Sequence, residues 1–265
     1  MRTMKLLQGR LAVIKVARIV SILGDADNGL FGAKRVKLSF EDNTYEVSAY
    51  AKKLSDLDFL VEILTALMGI EIGLPIPEPV IAISVDGSEA WFASIDVKYP
   101  DLSKRLLIEN GQVDLNTPKN KAVFSKLASW RLITDAISFD EWIANGDRNP
   151  GNVIYDGKDQ FYLIDHNLAM RLPFSPDAPI NNTLLTIKLF FTDDELSKQR
   201  LKNTISHTIN NLSPDIPQKI ADNLLKQANN LDAEILINMV EFLKQRLQYL
   251  TAITDKKIAT KQISL

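Results

Sequence analysis

Three oxygen-bearing side chains stand at spacings that suit phosphoryl transfer: Asp147 and Asn152 in IANGDRNPGN, and Asp165 at the end of the apolar run FYLI. Such a reaction needs a carboxylate to orient or deprotonate the attacking hydroxyl, and a neutral amide plus a second carboxylate to hold Mg²⁺ against phosphates. Asp and Asn are also ordinary turn residues, so Asp147 and Asn152 by themselves fit a loop. Asp165 changes the balance, because VIYDGKDQFYLID reads as a hairpin closed at Asp156-Gly157 that would return it to Asn152. Arg148 completes the candidate catalytic pair with Asp147; its planar fork suits bracing the loop through a carboxylate or backbone carbonyls.

A second constellation lies upstream. Lys52 ends the third alternating stretch, and Glu62 is the only charge between Phe59 and Ile70 in the helical pattern that follows. A carboxylate in so apolar a helix sits on a rim or is buried, and a buried charge requires a partner. An ion pair with a strand lysine supplies one, and the same lysine would then be fixed to reach nucleotide phosphates. Alternation alone leaves Lys52 and Lys53 both open, since they face opposite sides of the strand. Gly24, Gly29 and Gly32 in GDADNGLFG could let backbone amides approach a phosphate, though a glycine-containing hairpin loop is common. There is no GxGxxG and no GxxxxGK[ST], which disfavours a P-loop fold.

The elements that would position these residues fall into two parts. VARIVSIL, AKRVKLSF and YEVSAYAKKL alternate as a three-stranded meander, LDFLVEILTALMG is helical, and VIAISV and AWFASIDV add two strands. Beyond residue 100 the period becomes helical, with a stripe through Val123, Phe124, Leu127, Trp130, Ile133 and Ile137 leading to FDEWIANG. After a Pro-rich stretch at 173–179 the chain is mainly helical. The expectation is an α+β chain: residues 1–100 a five-stranded antiparallel sheet plus one helix, residues 101–265 helical. At 265 residues and 46% hydrophobic it can fill a sizeable core. With 31 basic and 33 acidic side chains, nothing argues electrostatically for nucleic acid or a membrane surface. The absence of cysteine removes thiolate metal sites and thiol nucleophiles, and two histidines cannot build a multi-histidine metal site. Neither a signal-peptide core nor an apolar run near the ~20 residues of a membrane span is visible, so a soluble, cytoplasmic protein is expected.

The order of these features resembles the protein-kinase-like fold, and most closely the HipA-like kinase family. AYAKKL is similar to that family's lysine strand, LVEILTALMGIEIGLPIPEPV to its helix and following prolines, and NGDRNPGN with LIDH to its catalytic and metal segments. The resemblance implies a bilobal fold with ATP and Mg²⁺ as cofactors. It places Lys52 and Glu62 on ATP, with the glycine hairpin over the phosphates and Ile95 and Val97 beside the nucleotide. It makes Asp147 the catalytic carboxylate and puts Asn152 and Asp165 on Mg²⁺, and so favours Lys52 over Lys53. Asp165 is followed by His166-Asn167 rather than Phe-Gly, and no APE-like segment is found. NGDRNPGN is also similar to the loop of aminoglycoside and choline phosphotransferases, with Asn145 where they carry His. The expected acceptor is a Ser or Thr hydroxyl of a protein, with a small-molecule hydroxyl, or a catalytically inactive binding module, as alternatives. The stripe Leu236, Met239, Leu243, Leu247 and Leu250 reads as packing on its own part of the chain, with a partner protein as the second reading.

Overall fold

The computed structural model describes residues 13–26, 32–41, 45–108, 113–115, 117–171, 175–227 and 231–259. Gly29 lies outside the described residues. The N-terminal part holds β1 (Lys15–Asp25), β2 (Lys34–Ser39), β3 (Val47–Lys52), α1 (Asp56–Glu71), β4 (Pro79–Ile83) and β5 (Ala90–Ile95). The strands close in the order β1-β2-β3-β5-β4. The expected five strands are present, but the sheet is not wholly antiparallel: β1 pairs in parallel with β4, Lys15 to Arg18 against Val80 to Ile83. Closure explains the small residues inside, because a narrow barrel has room for little more than methyl groups where strands converge. Ala49, Ala51, Ala82 and Ala93 are all fully buried there beside Val36, Leu38 and Val80.

The parity of β3 follows from that filling. Ala49 and Ala51 point into the barrel, so Tyr50 and Lys52 point out of it, on the side where Lys52 pairs in register with Phe92 of β5. Helix α1 begins at Ser55, whose hydroxyl accepts the Asp58 N–H, with Asp56 and Asp58 in the first turn. Every residue from Phe59 to Gly69 is buried. A helix covered all round sits between layers, and α1 touches β4 and β5 as well as helices from the far end of the chain.

The remainder holds α2 (Leu102–Leu106), α3 (Pro118–Ala128), α4 (Ile133–Trp142), a single 3₁₀ turn (Pro150–Asn152), β6 (Val153–Tyr155), β7 (Phe161–Leu163), α5 (Thr183–Phe190), α6 (Glu195–Asn210), α7 (Ile216–Gln227), α8 (Ala233–Leu247) and α9 (Leu250–Ala259). The apolar stripe from Val123 to Ile137 is thus carried by two helices. Asp156-Gly157 opens a longer turn than a two-residue one: Asp156 N–H donates to the Gln160 carbonyl, and its carboxylate accepts the Lys158 and Gln160 amides. Trp142 is fully buried and donates its indole N–H to the Leu243 carbonyl, joining α4 to α8. Leu236, Met239, Leu243 and Leu250 are buried and Leu247 is half-buried against the same core, so that stripe packs on its own chain. This larger core runs from α1 to α9 and crosses residue 100. No helix among the described residues is long and apolar enough to cross a membrane.

Candidate active site

Lys52 and Asp165, more than 100 residues apart in the sequence, meet where β3, α1 and the end of β7 converge. Lys52 Nζ lies 2.6 Å from Asp165 Oδ1, both side chains largely shielded. Lys53 instead reaches across the surface to Glu89 at 2.5 Å. The barrel parity therefore separates the two lysines.

Glu62 is 1% exposed, as its apolar helix demanded, but its hydrogen bonds correct the expected partner. Its two oxygens accept the backbone N–H of His166 at 2.9 and 2.8 Å, and Oε1 lies 3.3 Å from His166 Nδ1. Lys52 contributes by charge, while its ammonium rests on Asp165. Burial pushes the Glu62 carboxyl up; the hydrogen bond and charge of His166, the charge of Lys52 and the His166 amide outweigh it and hold the group below the ordinary carboxylate value. The physical reason for the changed partner is local. Asp165 adopts a left-handed backbone, φ 61°, at the end of the hairpin, and the amide that follows it would be unpaired in the interior without an acceptor.

Asp165 shows the opposite balance. Burial raises its carboxyl pKa, Glu62 adds to that rise, and the charge and hydrogen bond of Lys52 with the charge of His166 do not cancel it. A carboxylate in that position gains from a further cation.

The IANGDRNPGN loop is fixed from within. Arg148, 1% exposed, donates Nε and Nη2 to the two oxygens of Asp140 on α4 at 3.0 and 2.8 Å. Its Nη1 donates to the Asn152 carbonyl at 3.1 Å and to the Ile164 carbonyl at 2.7 Å. One guanidinium thus ties α4, the loop and the residue before Asp165 together. Buried on this side and spent on those partners, Arg148 is a brace; its placement in the catalytic pair is corrected accordingly. Asp140, which sequence reasoning missed, carries a weaker form of the signal that marks Glu62: with Glu141 it is one of two adjacent acids among the apolar residues of ISFDEWI. Asn145, fully buried, accepts the Asp147 N–H at 3.0 Å and donates to Asp140 at 3.3 Å. Asn152 Nδ2 donates to the Asp147 carbonyl at 2.6 Å and to Asp147 Oδ2 at 3.1 Å, which leaves Oδ1 as the amide's acceptor. Ile164 N–H donates to the Asn152 carbonyl at 3.1 Å, so the hairpin does bring Asp165 back beside Asn152.

The remaining candidates lie around this centre. Gly24, φ 147°, and Gly32, φ 60°, flank the hairpin that the Ala26 N–H to Ala33 carbonyl bond extends. Gly24 sits at a break in the β1–β2 register, and its backbone is one that glycine tolerates best. Ile95 closes β5, with its N–H donating to the Glu78 carbonyl and its side chain against the barrel core. Val97 is half-buried in the connector to α2, away from regular structure.

Asn152 and Asp165 offer an amide oxygen and a carboxylate, both hard donors. Among the described residues no group of three or more His, Cys, Asp or Glu could hold an ion alone. The donor set fits Mg²⁺, which takes one or two protein oxygens and completes its shell with phosphate oxygens and waters.

Comparison with known proteins bears on this arrangement. A family model described as HipA-like kinase matches residues 19–252. The chain belongs to the HipA-like kinase family. That span contains all the site residues, from Gly24 to Asp165, and most of the helices packed behind them. No curated protein matches the chain. Among solved structures it is similar to a proinflammatory kinase of Helicobacter pylori, CtkA, at 12% identity and a TM-score of 0.50, over 92% of this chain and 99% of that one. At that identity the likeness concerns the fold alone, which in this chain is a β-rich N-terminal part and a helical C-terminal part.

Proposed function

We propose that this HipA-like kinase transfers the γ-phosphate of ATP to a hydroxyl with Mg²⁺ bound, the acceptor being Ser or Thr of a protein. The observation that carries the reading is the contact between Lys52 and Asp165, which joins the strand cation to the metal-binding candidate at the seam between the two parts. In this reading residues 1–100 form an N-lobe, residues 101–265 a C-lobe, and the nucleotide lies between them. Lys52 binds phosphate oxygens when ATP enters. Glu62 acts less as the lysine's direct partner than as the anchor of the Asp165-His166 turn. Gly24 and Gly32 lend their backbone to the phosphates, and Ile95 and Val97 flank the base.

Asn152 and Asp165 would hold Mg²⁺, which would supply charge neutralisation to the nucleotide phosphates. Asp147 accepts or orients the proton of the acceptor hydroxyl, and Asn152 Nδ2 steadies its carboxylate. Arg148 holds Asp147, Asn152 and Asp165 in one frame without touching substrate.

Incubation with γ-labelled ATP, alone and with a cell lysate, tests this. Label in the chain itself or in another protein on Ser or Thr supports the proposal. Label in a small molecule points to an aminoglycoside- or choline-like phosphotransferase. No transfer despite nucleotide binding points to an inactive binding module.

A further inference from the structure

Adjacent acids on α4, Asp140 and Glu141, each face a fully buried arginine. Asp140 takes Arg148, which clamps the carbonyls of Asn152 and Ile164. Glu141 faces Arg246 of α8, with Nη2 3.7 Å from its carboxylate and Nε donating to its carbonyl at 2.5 Å. Arg246 Nη1 then donates to two further carbonyls, Pro176 at 3.0 Å and Ala178 at 2.8 Å. Lys257 of α9 also reaches the Glu141 carboxylate. The second guanidinium therefore does for residues 176–178 what the first does for the loop around Asp147.

The clamped segment belongs to the stretch that leaves Asp165. That stretch docks on α4, where Met170 N–H donates to the Ile143 carbonyl at 3.1 Å, and approaches α1 through Arg171 and Asp58 at 3.6 Å. It returns to α4 at Asn182, whose Nδ2 donates to the Ile137 carbonyl. Between these points Ser175 and Asp177 are exposed, while the Pro176 and Ala178 carbonyls turn inward to Arg246. A surface strip with a fixed inner edge, beginning ten residues after Asp165 and pinned to the helix that pins the catalytic loop, suits contact with an acceptor.

We propose that Arg246 is a positioning residue for the acceptor side of the site, holding residues 176–178 in register with the catalytic loop. This rests on the kinase reading above. The clamp needs the planar fork, because a lysine facing Glu141 keeps the charge but cannot serve the Glu141 carbonyl and two loop carbonyls together.

The test is Arg246→Lys, read by amide exchange over residues 175–182, by MgATP titration, and by transfer of label from γ-labelled ATP to dephosphorylated casein as the probe. Expected are exchange at 175–182 faster by at least about tenfold, MgATP affinity within about twofold, and a KM for casein raised at least about fivefold with kcat less affected. A role in charge balance alone would be rescued by lysine in all three readouts, and that result overturns the proposal, as does a parallel loss of MgATP affinity. Should the lysine variant fail to fold, the paired change Glu141→Gln with Arg246→Gln removes both of these buried charges together, leaves Lys257 without that acid, and is held to the same readouts. A wild-type chain that labels nothing overturns the kinase reading and the acceptor role with it. Exchange still decides whether the clamp exists, so the two failures are told apart.

Discussion

The carboxylate of Glu62 holds the backbone of His166, both oxygens accepting its N–H at 2.9 and 2.8 Å, and feels the charge of Lys52, whose Nζ lies 2.6 Å from Asp165. Helix α1 thereby fixes the turn that presents Asp165, and the lysine is left on the group that would share its phosphate.

Glu62→Ala is therefore expected to strand a buried amide and destabilise the fold by roughly 1–3 kcal/mol, more if the lost charge matters to His166. Glu62→Gln keeps one acceptor oxygen and should recover much of that loss. Denaturant melts of the two variants check this. Equal losses would mean that the charge, and not the hydrogen bond to His166, is what the site uses.

The two lysines should separate cleanly. Lys52→Met removes the cation beside Asp165 and is expected to lower phosphoryl transfer by ~10²-fold or more, the scale of a lost electrostatic contact to the transferring group. Lys53→Met breaks an exposed pair with Glu89, of the kind worth about 0–1 kcal/mol, and should leave turnover unchanged. Steady-state rates of both variants decide; a larger effect at Lys53 would contradict the barrel parity.

Much of this was legible in the sequence, and the residues show why. The hairpin from Val153 to Leu163 and the turn residues around it announce that Asp165 returns to Asn152. Alanines at 49 and 51 carry the information that Lys52 points away from the barrel interior, once the barrel is known to be closed. The closure itself was not legible, since a two-residue period says that β1 and β4 are strands but not that they pair in parallel. Nor was the partner of Glu62, because a backbone amide has no sequence signature. Asp140 was readable as a buried acid in need of a cation, yet nothing in the pattern chose Arg148 over any other.

The pair of Asp140 and Arg148 is fully buried, and its loss should be severe. Asp140→Asn or Arg148→Met is expected to cost on the order of 3–5 kcal/mol, because the charge left behind has no water to turn to. The double change should cost less than the sum of the single ones. Chemical denaturation of the three variants measures this; additivity would show that the pair is not coupled.

Asp165→Asn and Asn152→Ala are expected to keep the fold and lose Mg²⁺-dependent nucleotide affinity. Both oxygens belong to the proposed ion site, and Mg²⁺ bound by so few protein groups depends on each. Calorimetric titration of ATP with and without Mg²⁺ reads the effect. Unchanged affinity in both variants would remove the metal assignment.

The most direct test of the central claim is the turnover of Asp147→Asn. Asparagine fits the same turn and can accept the same local hydrogen bonds, so a loop that served structure alone would scarcely notice the change. A carboxylate that receives or orients the acceptor's proton cannot be replaced by an amide, and loss of a positioned general base costs ~10² to 10⁴ in rate. The expected variant melts within about 5 °C of wild type and binds MgATP as before, while single-turnover transfer from γ-labelled ATP falls at least ~100-fold. A folded, nucleotide-binding Asp147→Asn protein that transfers phosphate at the wild-type rate would contradict the mechanism.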